Sequence, residues 1–239
     1  MPAPLLYTPL EKLTVNRPVH RTAYLQNVCS GKRVLDLGAM DETAYELKRG
    51  KNVWLHEQLA NVASEVFGVD SSEKVPPEGL RTGERSAIYR ADVCNLAEFL
   101  QSRPICPDVI VAGELIEHLP NPLAFLQSLR AHSCLRNKTL LLTTPNATAL
   151  HNCLIALTRR ESTHHDHLTI LSYKTLSTLF RRSGFTQWQL IPYYASFTEM
   201  KQRVSPVSRP LVRLCERVIN GAERIFPLMS FGWIAHINL

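Results

Sequence analysis

The stretch from Arg33 to Asp70 constrains the fold more than any other part of this chain. It opens with Arg33-Val34-Leu35-Asp36-Leu37-Gly38-Ala39, passes through a helical run and closes with Val66-Phe67-Gly68-Val69-Asp70. An apolar strand ends in a glycine turn, and a second apolar strand ends in a lone carboxylate. In a parallel α/β sheet both strand ends open at the same edge, where nucleotides bind. Gly38 lets the backbone approach a ligand closely. Asp70 is an acceptor-only group able to hold both hydroxyls of a ribose. The first expectation is therefore an adenosine-containing cofactor.

The rest of the chain repeats the alternation. Strands are expected at about 33–39, 66–70, 87–91, 108–113, 139–144, 186–194 and 231–238. Helical material falls at 52–64 and 96–100, after the Asn121-Pro122 start signal, and from Tyr173 to Arg182 between a Ser172 cap and Gly184. This pattern predicts an α/β, Rossmann-like, doubly wound seven-stranded sheet, mostly parallel with an antiparallel last strand. It also predicts one domain over 1–239: an N-terminal helical cap at 1–30, a core at 31–196, a helical insertion or lid at 197–230 and the last strand at 231–239.

Composition narrows the function classes. The 239 residues are 45% hydrophobic and 20% charged, a globular balance with no apolar run long enough to span a bilayer. The start, Met1-Pro2-Ala3-Pro4-Leu5-Leu6-Tyr7, has no basic n-region and no long apolar core, so no signal peptide is expected. Six scattered cysteines without a CxxC pair argue for reduced thiols and a cytoplasmic setting. The net charge of +6 is concentrated in Lys201, Arg203, Arg209, Arg213, Arg217 and Arg224. That local excess argues against a whole-protein nucleic-acid role. Leu211 to Phe226 forms a basic amphipathic helix, which suits either peripheral membrane contact or docking on its own domain. Docking as a substrate lid, with the arginines solvated, is the expectation. Nothing in the sequence fixes an oligomeric state.

Taken in order, the motifs resemble those of the class I S-adenosylmethionine-dependent methyltransferases, in a bacterial branch that modifies small molecules and sugars. The matching residues are Val34-Leu35-Asp36-Leu37-Gly38, Gly68-Val69-Asp70, Ala91-Asp92-Val93, Glu114-Leu115-Ile116-Glu117-His118-Leu119, Thr144-Pro145-Asn146 and His167 through Ser172. They cover about residues 30–195. One departure stands out: the family's Gly-x-Gly-x-Gly turn reads Gly38-Ala39-Met40-Asp41-Glu42 here. Asp41 and Glu42 either oppose the cofactor's positive groups or are solvated.

The resemblance implies S-adenosyl-L-methionine as cofactor, held by Asp36, Gly38, Met40, Asp70, Ser71, Asp92, Val93, Gly113 and Glu114. It implies His118, Glu117 and His167 as catalytic groups, and a small-molecule substrate touched by Asn146, Tyr193 and Tyr24. No metal is expected. Were one bound, Glu114, Glu117, His118 and His167 would be its ligands, a pattern similar to the small-RNA 3′-terminal ribose methyltransferases. Methylation of an oxygen or carbon of a small metabolite or sugar is the leading reading. The alternatives are cyclisation of the cofactor with release of methylthioadenosine, metal-dependent RNA ribose methylation, and non-catalytic binding.

Overall fold

The computed structural model describes residues 5–41, 45–48, 50–51, 53–103 and 105–239. These form one sheet of eight strands: β1 Arg33–Leu37, β2 Glu65–Asp70, β3 Leu80–Gly83, β4 Ser86–Arg90, β5 Val109–Gly113, β6 Thr139–Pro145, β7 Trp188–Tyr193 and β8 Gly232–Asn238. Their order is β3-β4-β2-β1-β5-β6-β8-β7. The run from β4 to β6 is parallel, and β8 lies antiparallel between β6 and β7. The chain leaves β1 toward β2 and returns on the other side as β5. That reversal opens a crevice at the carboxyl edge beside β1.

The pleat sorts side chains onto two faces. Leu35, Leu37, Ile110, Ala112, Leu140 and Leu142 face one way. They pack under Phe99 of α4 (Leu96–Ser102), Leu126 and Leu129 of α5 (Pro122–Ala131), and Leu176 and Phe180 of α7 (Tyr173–Arg182). Val34, Val66, Val109, Val111 and Leu141 face the other way. Leu25 and Cys29 of α1 (Arg21–Cys29) and Leu59 of α3 (Leu55–Ala60) cover them. The remaining helices are α2 (Tyr45–Lys48), α6 (Leu150–Ala156), α8 (Thr198–Arg203) and α9 (Arg209–Ile225).

The caps behave as the sequence indicates. Asn121 accepts the Ala124 amide with Pro122 at the first helical position, and Ser172 and Thr175 form a capping box. Gly184 ends α7 at φ +86°, where Arg130 crosses the space a side chain would need. Ahead of α1, the Val19 amide donates to Pro192 and its carbonyl accepts from Tyr194, stitching the N-terminal segment to β7.

Three expectations need correction. The sheet has an eighth strand, because the polar residues of β3 fold back on β4 as an antiparallel edge that carries no apolar periodicity. The expected 52–64 helix is shorter, spanning Leu55–Ala60. The apolar row of α9 also does not dock. Val212 and Glu223 are its buried residues, while Leu211, Leu214, Val218 and Ile225 are exposed. Polar ties set this rotation: Glu216 accepts from the Phe197 amide and pairs with Lys201, and Glu223 accepts from the Ala195 amide.

Candidate active site

At the end of β2, Asp70 is 8% exposed and held from two sides. One carboxylate oxygen accepts from the Met40 amide at 2.8 Å, and the other from the Ser72 amide at 2.9 Å. Gly38, at φ +71°, donates its amide to Val69 and turns the chain so that Met40 can reach the acid. Met40 itself is buried with Tyr45, Trp54 and Val75, and Ser71 is exposed beside them. Further along the same edge, exposed Asp92 caps a short turn through the Cys94 amide, and Val93 is buried. Asp41 pairs with Lys48, and Glu42 lies outside the described residues.

At the end of β5 the chain bends sharply. Gly113 has no room for a side chain beside Leu55 and Arg21. Glu114 sits at φ +52°, a costly conformation for this residue type, with its amide bonded to Thr143. The Glu114 carboxylate accepts from the Tyr193 hydroxyl at 2.9 Å and lies 4.0 Å from Arg21 Nε. Burial, then the Glu114 charge, raises the Tyr193 phenol well above its ordinary range.

One turn later comes the feature with most chemical consequence. Glu117 is 0% exposed, and neither carboxyl oxygen has a hydrogen-bond partner among the described residues. Burial, with the Glu114 charge second, pushes its pKa up to about 9. The Glu117 carbonyl accepts the amides of Leu168 and Thr169, which brings the distant His164–His167 segment onto this turn. The His118 and His167 rings consequently lie 4.6 Å apart, edge to face. The side-chain donors of Glu117, His118 and His167 all fall within 4.8 Å of one another. Burial and the neighbouring His118 and His164 lower the His167 pKa.

Three candidate residues have side chains bonded within the fold itself. Asp36 shares the β1 face of Val34, so it points at α3, where it meets His56 Nδ1 at 2.9 Å; His56 Nε2 meets Thr82 Oγ1 at 3.0 Å. This buried chain occupies the acid inside the fold. Asn146 is fully used: its amide group donates to Leu228 and Ser230, and its oxygen accepts from the Thr148 amide and hydroxyl. Tyr24 bonds His236, which pairs with Leu141 toward the opposite edge of the sheet. A cavity of about 590 Å³ also lies at that edge, lined by Arg130, Arg136, Arg182 and Asn137, far in the fold from the strand-end acids. Sequence reading missed Arg21 and His56. Arg21 carries no local signal, whereas a histidine inside the apolar 53–59 stripe was a visible anomaly.

A family model described as a methyltransferase domain matches residues 15–190. The chain belongs to that methyltransferase-domain family. The matched span contains both strand-end clusters apart from Tyr193, and stops short of α8 and α9. Among curated relatives, this chain is similar to ubiquinone biosynthesis O-methyltransferases of two organisms. That of Actinobacillus pleuropneumoniae serotype 7 (strain AP76) is 29% identical over 130 residues, covering 48% of this chain and 50% of the relative. That of Histophilus somni (strain 2336) is 29% identical over 128 residues, covering 48% and 49%. The chain thus spans about half the length of the curated relatives it matches.

Solved structures share the fold. The small RNA methyltransferase HEN1 superposes with a TM-score of 0.57 at 16% identity, covering 96% of this chain and 27% of that one. The magnesium protoporphyrin IX methyltransferase of Synechocystis PCC 6803, solved with bound SAH, gives 0.51 at 14% identity, covering 92% and 80%.

Proposed function

We propose that this methyltransferase transfers the methyl group of S-adenosylmethionine to an oxygen of a small metabolite. One observation carries the reading. The carboxyl edge gathers an oriented, acceptor-only carboxylate at β2 and, at β5, a buried carboxyl beside two imidazoles. The chemistry of this set fits an adenosyl cofactor: a ribose needs acceptors, and an adenine needs an apolar wall with an acceptor at its rim. Asp70 would hold the ribose, Asp92 and Val93 the adenine, and the Gly38–Met40 backbone with Ser71, Gly113 and Glu114 the amino-acid portion.

When bound, the cofactor supplies a methyl group on a positively charged sulfur, an already activated electrophile. The protein's part is mainly orientation, worth about 7–11 kcal/mol in well-aligned systems. Tyr193 and Arg21 hold Glu114 in place at the mouth of β5. His118 receives the one hydroxyl proton of the acceptor at a ring nitrogen, with the His167 ring packed against it. Glu117, with its raised pKa, keeps its proton at neutral pH and adds no repelling charge. The O-methyltransferase names of the relatives support an oxygen acceptor. The reduced cysteines support a cytoplasmic setting.

A second reading is favoured by the Glu117, His118 and His167 donor set, whose spacing suits a divalent cation. Calorimetric titration of the purified chain with Mg²⁺ or Mn²⁺ separates the two readings: Glu117→Gln removes the heat of binding if the cation is held there. The function itself is tested by incubating the chain with methyl-labelled cofactor and a panel of small hydroxylated acceptors. Labelled methyl ether supports it, and methylthioadenosine released without any acceptor would overturn it.

A further inference from the structure

α9 is an amphipathic helix mounted with its apolar side outward. Leu211, Leu214, Val218 and Ile225 recur at i, i+3, i+7 and i+14, which places them in one row along the helix. They are 63%, 56%, 64% and 71% exposed. Phe226, 57% exposed, extends the row at its end. α6 packs beside α9 and contributes exposed Leu154 and Leu157. Such an uncovered row is larger than scattered surface leucines and marks a contact surface.

Charge identifies the occupant. Both carboxylates of α9 turn inward: Glu216 is tied to Phe197 and Lys201, and Glu223 to Ala195. All four arginines of the helix, Arg209, Arg213, Arg217 and Arg224, are exposed. The solvent side of α9 therefore carries positive charge and apolar area with no acid. That pairing fits an anionic lipid surface, where apolar side chains enter the acyl boundary and guanidinium groups meet phosphates. Among the described residues no helix is long and apolar enough to cross a membrane, so the contact is in-plane.

We propose that α9 docks this protein on the surface of an anionic bilayer. The inference rests on exposure and charge and holds whether or not methyl transfer is the activity. The test is co-sedimentation of the full chain with phosphatidylglycerol–phosphatidylcholine vesicles and with phosphatidylcholine vesicles alone, beside light scattering without lipid. The wild-type chain is expected to pellet with the anionic vesicles and stay in solution with the neutral ones. A Leu214→Asp, Val218→Asp variant is expected to stay in solution with both, at an unchanged melting temperature. Arg213→Gln with Arg217→Gln is expected to weaken binding about 30-fold. The proposal is overturned if the wild-type chain ignores anionic vesicles, or if the aspartate variant still pellets. It is also overturned if the wild-type chain is a dimer that the aspartate variant splits, because the row is then a self-interface.

Discussion

Leu168 donates its amide hydrogen to the carbonyl oxygen of Glu117 at 2.8 Å, across a separation of 51 positions (168 − 117). This bond and its neighbour from Thr169 hold the histidine segment against the turn after β5. They make His167 a companion of His118, where sequence alone offers only two histidine-bearing loops.

If the His118 imidazole takes the acceptor's proton, His118→Ala lowers kcat by about 10²–10⁴ and leaves cofactor affinity unchanged. His165→Ala serves as the control. Its side chain is 78% exposed and its partner is Asp166, so both constants stay at wild-type values. Steady-state kinetics and cofactor calorimetry on the two variants check this.

Tyr193→Phe removes the hydroxyl that Glu114 accepts from, inside a nearly closed environment where Tyr193 is 3% exposed. A polar group deprived of its partner costs about 1–3 kcal/mol. Urea unfolding is expected to show that loss, and Tyr193→Phe with Glu114→Gln is expected to recover part of it.

Asn146→Ala separates a structural from a substrate role. The side chain ties the end of β6 to Leu228 and Ser230, so its removal leaves the Ser230 carbonyl unbonded, while the Leu228 carbonyl keeps the Thr148 hydroxyl. The expected outcome is a stability loss of about 1–3 kcal/mol, measured by urea unfolding. The KM for acceptor is expected to stay within about twofold, because a uniform binding contact is not what is lost.

Glu223 gives a stability signature in pH. Burial raises its pKa from 4.5 to about 7 in the fold, against the Ala195 amide, which lowers it. The folded chain therefore binds this proton more tightly than the unfolded chain. Its stabilising effect is fully present below about pH 4.5 and is lost as pH rises through about 7. Glu223→Gln is expected to flatten that window, so melting temperatures of wild type and variant diverge most at pH values above the folded pKa. Thermal melts across the range check the sign.

The sheet was legible because burial on both faces leaves near-continuous apolar runs such as Val109–Ala112, and because glycine and acid punctuate them at Gly38 and Asp70. β3 was not, since a short polar edge strand has no period to read. α6 was not, since none of its residues is buried. The rotation of α9 ran against its hydrophobic pattern, because Glu216 and Glu223 find backbone amides that only the assembled fold supplies. At the candidate site, Glu114, Glu117 and His118 were visible as a Glu-x-x-Glu-His motif. The His56 partner of Asp36 was not legible, because it declares itself only when the pleat points both at the same layer.

The most direct measurement is calorimetric titration of S-adenosylhomocysteine into wild-type and Asp70→Ala protein, with circular dichroism confirming that the variant folds. A ribose held by this carboxylate requires the wild-type chain to bind and the variant to lose at least about tenfold in affinity, on the order of 1.4 kcal/mol. Equal affinity in the two proteins would contradict the placement of the cofactor at the carboxyl edge of β2.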